Sequence, residues 1–179
     1  MRYIIVLFLL LFVSCKNDKN ANDDSNETAT VEKIDVEDIK LEIYDFNGLE
    51  KFLNLKDDKV HVVNFWATWC APCVKELPHF EDLRENYKNK DVEVFLVSLD
   101  FPKQYDKKLK PFIKKHNLQS RVLVLDDVDM NSWIPKINED WDGAIPVTII
   151  YKNDKRQFYN QTFTYEELEK EVKHFLKIN

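Results

Sequence analysis

Cys70 and Cys73 are the side chains of this 179-residue sequence whose type and spacing best suit covalent chemistry. Two residues, Ala71 and Pro72, separate them. The nearly continuous apolar run Val60–Trp66 before them reads as a buried strand, and a helix is expected from about Ala71 to Lys88. Cys70 therefore falls at a helix N-terminus, where unpaired backbone N–H groups and the helix dipole favour an anionic sulfur. A free thiol titrates near ~8.5, and such placement in a Cys-X-X-Cys motif lowers it to about 3.5–7.5. Cys70 is thus the candidate nucleophile. Cys73, one helical turn on, can reach it within the ~4.4–6.8 Å Cα spacing a disulfide tolerates and would resolve a mixed disulfide. Pro72 suits the first turn, where its missing N–H is not required. A purely structural disulfide and half of a zinc site are the competing readings. Zinc would need two more ligands, and His61, His79, His116 and His174 show no paired spacing, so no metal is expected.

The third cysteine belongs to a different part of the chain. Arg2 followed by the apolar run Tyr3–Val13 has the proportions of a secretory leader and is too short to span a bilayer. Its end, Phe12-Val13-Ser14-Cys15, resembles the lipobox of bacterial lipoproteins, which implies cleavage after residue 14 and acylation of Cys15. Several acyl chains anchor a protein stably where one does not. An ordinary signal peptide and an uncleaved anchor are the alternatives. From Lys16 to Lys40 there is no aromatic residue and an abundance of Asn, Asp and Glu, so residues 15–40 read as a lipidated cysteine and a disordered tether. Residues 41–179 remain for one folded domain, which a hydrophobic content of 44% is ample to fill.

Composition excludes other classes. A net charge of −6 offers no basic stripe for nucleic acid. Two glycines, Gly48 and Gly143, cannot build a phosphate-cradling loop, and no cofactor is implied.

Strands are expected at Leu41–Phe46, Val60–Trp66, Val92–Leu99, Arg121–Leu125, Pro146–Tyr151 and Arg156–Thr162. Helices are expected at Leu49–Leu55, Ala71–Lys88 (kinked by Pro78), Gln104–His116 and Asn131–Asn138, with a last one running to about Lys177. Thr164 and Glu167 form a capping box for that last helix. Strands alternating with helices, followed by a hairpin and a helix, give an α/β fold with a central mixed sheet covered on both faces.

The segment Asn64-Phe65-Trp66-Ala67-Thr68-Trp69-Cys70-Ala71-Pro72-Cys73-Val74-Lys75-Glu76-Leu77-Pro78 resembles the active-site stretch of the thioredoxin superfamily. More narrowly, it is similar to the membrane-anchored TlpA/ResA-type thiol–disulfide oxidoreductases. The resemblance covers Leu41–Asn179 and implies a thioredoxin-like fold with an extra strand–helix insertion, Arg121–Asn138, before the hairpin. It implies a cis bond at Ile145-Pro146, shaping a substrate groove with Trp69 and Pro72, and an Ile145 backbone free to pair with extended substrate. Glu76 would stand close to the thiols and take part in their proton traffic. Plain thioredoxins use a buried aspartate where this chain has Asn64, which cannot titrate. Trp69 would cover the dithiol, while Trp66 reads as core. Two departures from the pattern are Val147 after the proline and the glycine-free turn Lys152-Asn153-Asp154-Lys155.

The implied activity is dithiol–disulfide exchange with protein cysteines, in the reducing direction, as in cytochrome c maturation. A transmembrane thiol donor would recharge the pair. A non-catalytic binding lipoprotein that stores a disulfide is the alternative. A peroxidase is a third reading, although it ordinarily places its cysteine in a different context.

Overall fold

The computed structural model describes residues 38–178. The leader, Cys15 and most of the tether lie outside them. No helix among the described residues is long and apolar enough to cross a membrane.

Six strands form one sheet: β1 (Glu42–Tyr44), β2 (Val60–Trp66), β3 (Val92–Ser98), β4 (Arg121–Leu125), β5 (Val147–Lys152) and β6 (Lys155–Tyr159). Their order across the sheet is β1-β4-β3-β2-β5-β6. The first four are mutually parallel, β5 runs antiparallel to β2, and β6 runs antiparallel to β5. This is a thioredoxin-like mixed sheet, and the expected insertion is present as β4 followed by a helix.

β2 lies at the centre and is buried along its whole length. Because successive side chains of a strand point to opposite faces, it feeds two cores at once. Val60, Val62 and Trp66 pack with α2 (Ala71–Tyr87), α3 (Lys110–Lys115) and α5 (Tyr165–Leu176), through residues such as Leu77, Phe80, Leu83, Phe112 and Leu168. Val63 and Phe65 pack on the other face with α1 (Phe46–Leu49), α4 (Met130–Ile137) and the aromatics Phe52, Phe95, Trp133 and Trp141. Asn64 shares the first face with Val62 and Trp66, so its side chain points under α2.

The first expected strand is shorter than its alternation implies. Asp45 leaves the sheet to cap α1, accepting a hydrogen bond from Gly48 N at 2.8 Å. A 3-10 turn, Glu50–Leu53, completes that helical segment. The expected helix Gln104–His116 is a composite: a 3-10 turn at Pro102–Gln104, a π-helical turn at Tyr105–Leu109, then α3. Pro111 is the physical reason. It has no N–H for the carbonyl of Lys107, and its ring crowds that carbonyl. The chain widens just before it, with Lys110 N bonded to Tyr105 O. α2, by contrast, continues through Pro78. In the β5–β6 turn, Asn153 takes the positive φ of 52° that a glycine would otherwise supply. Thr164 and Glu167 form the capping box of α5.

Candidate active site

The chain leaves β2 at Trp66, turns through Ala67–Trp69, and enters α2 with Cys70 as its N-cap. Ser, Thr, Asp and Asn usually fill this position because their oxygens accept from the third helical N–H. Here a sulfur does so: Cys73 N donates to Cys70 Sγ at 3.3 Å. Pro72, in the first turn, gives up no required donor. The two sulfurs are bonded to each other, with Cα atoms 5.3 Å apart.

Accessibility differs between the two. Cys73 is fully buried, whereas 6% of Cys70 remains exposed. Of the pair, only the leading cysteine has any opening to a partner. Across the cleft, the Ile145–Pro146 bond is cis, and Ile145 O lies 3.6 Å from Cys70 Sγ. Of the residues singled out in the sequence, Cys70, Cys73, Ile145 and Pro146 therefore meet at one point. Pro72 is exposed on the first turn of α2. Trp69 is 53% exposed, and its ring stacks on that of Phe101 at 6.4 Å with an interplanar angle of 16°.

Glu76 is on the buried face of α2, one turn beyond Cys73, and only 2% exposed. Its carboxylate accepts from Asn64 Nδ2 at 2.9 Å and from Phe163 N at 2.8 Å. Asn64 Nδ2 also donates to Thr148 Oγ1 at 3.1 Å. No cation is paired with Glu76 among the described residues. Burial pushes its pKa from 4.5 up to about 7, against the smaller opposing pull of the Phe163 and Asn64 donors. A group with that affinity exchanges protons readily at neutral pH.

Asp100 was not among the residues singled out in the sequence. It is buried just after β3 and accepts from Thr68 N (3.0 Å), Thr68 Oγ1 (2.5 Å) and Ser98 Oγ (2.9 Å). Leu99 N donates to Trp66 O at 2.8 Å. Together these bonds tie the loop after β3 to the turn that delivers Cys70, and they set Phe101 beside Trp69. The available signal was an acid directly following a buried apolar run.

At the opposite end of the sheet His61 is fully buried. It is 2.8 Å from Asp57 through Nε2 and stacks on Tyr151. It takes no part in the site.

The arrangement can form and break one sulfur–sulfur bond, with one narrowly open cysteine, one fully buried cysteine and a buried carboxyl one helical turn on. Comparison with known proteins agrees. The AhpC/TSA family model matches residues 33–156. Thiol-disulfide oxidoreductase ResA of Bacillus thuringiensis subsp. konkukian is 32% identical over 143 residues, covering 80% of this chain and 70% of that protein. ResA of Geobacillus thermodenitrificans is 29% identical over 169 residues, covering 93% and 91%. A thioredoxin-related protein from Neisseria meningitidis serogroup B superposes with a TM-score of 0.57 at 24% identity, covering 69% of this chain and 88% of that one.

Proposed function

On the premise that this chain belongs to the AhpC/TSA family and is a thiol–disulfide oxidoreductase of the ResA type, we propose that it reduces disulfides of proteins outside the cytoplasm. The observation that carries the reading is the inequality of the two sulfurs. Cys70 caps α2 and has an opening, while Cys73 is sealed beneath it.

In the reduced pair, the helix N-terminus and Cys73 N–H favour a Cys70 thiolate. That thiolate attacks one sulfur of a target disulfide, and the other target sulfur leaves as a thiolate. Cys73 then gives up its proton and attacks Cys70 Sγ. The bond to the target breaks, and the Cys70–Cys73 bond forms. Two electrons pass to the target, which gains two protons and ends as a dithiol. Glu76, with a pKa near 7, is the acceptor for the Cys73 proton. Ile145 and Pro146 form the far wall against which the target segment lies.

The leader and Cys15 support placing this domain at a membrane surface on acyl chains, with residues 16–40 as the tether. A reductant in that location needs recharging, so a transmembrane thiol donor completes the cycle, and maturing cytochrome c is a substrate of fitting chemistry.

Insulin reduction by the purified chain tests the reading. Turnover should need both cysteines: Cys70→Ser should be inert, and Cys73→Ser should accumulate a mixed disulfide. Equal turnover by either variant would refute it.

A further inference from the structure

Five large hydrophobic side chains stand exposed among the described residues: Ile43, Trp69, Phe101, Val128 and Met130. Four of the five gather at one end of the sheet. Trp69 follows β2, Phe101 follows β3, and Val128 and Met130 follow β4. These strands are adjacent and parallel, so their C-terminal ends lie side by side. Met130 also reaches the loop before the cis-proline, since a methyl group added to Gly143 would lie 3.8 Å from its Cε. The row of apolar groups thus runs along the rim that holds the disulfide.

The same rim is acidic. The β4–α4 loop carries Asp126, Asp127 and Asp129, and the end of the α4–β5 loop carries Asp142. The second loop returns to the same end, because β5 starts at Val147 opposite Phe65 near the end of β2. None of these four carboxylates joins an ion pair among the described residues. Asp127 accepts from Phe46 N and Asp129 N, and Asp142 from Ala144 N. The side chains of Asp126 and Asp129 make no hydrogen bond there and are exposed. The one basic residue between positions 126 and 145 is Lys136, which lies over the Phe46 ring at 5.4 Å. Beyond that stretch, Arg121 is paired with Glu42, and Lys103, Lys107 and Lys108 follow Phe101 on the other side of the aromatic pair.

Unpaired like charges beside exposed aromatics are unfavourable for an isolated domain, but they match a partner of opposite charge. We propose that this rim docks an extended, cationic polypeptide segment whose reactive cysteine is flanked by apolar side chains. The apolar flanks meet Trp69, Phe101 and Met130, and lysine or arginine side chains meet the carboxylates of the two loops. The segment must be extended because the cysteine it has to reach is only 6% exposed, so a cysteine on a rigid surface would be held off. The inference rests on the reading of Cys70 and Cys73 as exchanging with protein cysteines. It adds the class of protein and assigns its selection to loops that the β4–α4 insertion supplies.

The test uses the reduced full chain and two disulfide-containing peptides, identical except for lysine or glutamate around leucine-flanked cysteines. Each peptide rate is divided by the same protein's rate with hydroxyethyl disulfide, which is small and neutral. At low salt the lysine peptide should react on the order of 10-fold faster, as charge steering allows, and the gap should close in 1 M salt. In a variant combining Asp126→Asn, Asp129→Asn and Asp142→Asn, the ratio should fall close to one. Equal rates for the two peptides, or a ratio that survives in the variant, would overturn the docking surface while leaving the exchange chemistry intact. A chain inert to hydroxyethyl disulfide as well would remove the exchange reading and this surface with it.

Discussion

Replacing Glu76 with glutamine should change how stability depends on pH more than it changes stability itself. Glu76 is a carboxyl with no cationic partner among the described residues, and its pKa is raised by burial from 4.5 to about 7. Below pH 4.5 it is protonated in both folded and unfolded chains. Between 4.5 and 7 the unfolded chain releases the proton and the folded chain keeps it, so stability falls as pH rises. Above 7 both forms are ionised and the loss levels off. At ~1.36 kcal/mol per pKa unit, the loss across that window is about 3 kcal/mol. Glutamine removes the titration and can keep the contacts. Asn64 Oδ1 has no partner. If the Asn64 amide turns over, that oxygen can accept from the glutamine Nε2 and from the Thr148 hydroxyl, while Phe163 N still donates to the glutamine oxygen. The disulfide must stay closed throughout, so that no thiol titrates. Denaturant unfolding of the oxidised wild type and Glu76→Gln from pH 4 to 8 gives the difference directly, because all other titrating groups cancel. The variant should gain on the wild type by about 3 kcal/mol between pH 4.5 and 7 and run parallel to it above. Parallel curves through that window would refute the argument.

Two further substitutions probe how the site is held. Asp100→Ala removes the shared acceptor of Thr68 N, Thr68 Oγ1 and Ser98 Oγ. At roughly 1–3 kcal/mol for a stranded buried donor, it should lower the denaturation midpoint clearly and shift tryptophan fluorescence as Trp69 loses its register with Phe101; an unchanged midpoint and spectrum would show that the clamp is idle. Thr164→Ala deletes the cap on Glu167 N and should destabilise the chain by ~1 kcal/mol, a loss that Thr164→Ser should largely recover in the same denaturant measurement.

What could be read from the sequence divides by the range of the interactions involved. β2 and α2 announce themselves by apolar period and length, and Thr164 with Glu167 caps α5 through a contact three residues long. Pro111 was visible too, but whether it would end a helix or widen it depends on how Tyr105 and Leu109 pack, and that is a tertiary matter. The same holds at the site. The three-residue spacing of Cys73 and Glu76 places both on one helix face, yet it does not decide whether the glutamate is buried. Its burial follows from Asn64 on β2 and the amide of Phe163, 87 residues downstream. Asp100 was missed because two of its three donors come from Thr68, which reaches it only once β2 and β3 lie side by side.

Glu76 also shows stability and chemistry pulling apart. An amide at that position would spare the fold an unpaired charge at neutral pH, so burial gives no reason for a carboxylate. The proposed exchange reaction does, since it needs an acceptor for the Cys73 proton and a group near pH 7 stands one helical turn away. The sheet supplies the setting. The loops after β2, β3 and β4 and the loop before β5 all open at one end, while the far end holds a core histidine and turns. The cysteine pair lies between the first and last of those loops, and Asp100 in the loop after β3 braces the first. Phe101, Val128, Met130 and the acids of the β4–α4 loop touch none of this. Their composition is best explained by what approaches the disulfide, not by what happens within it.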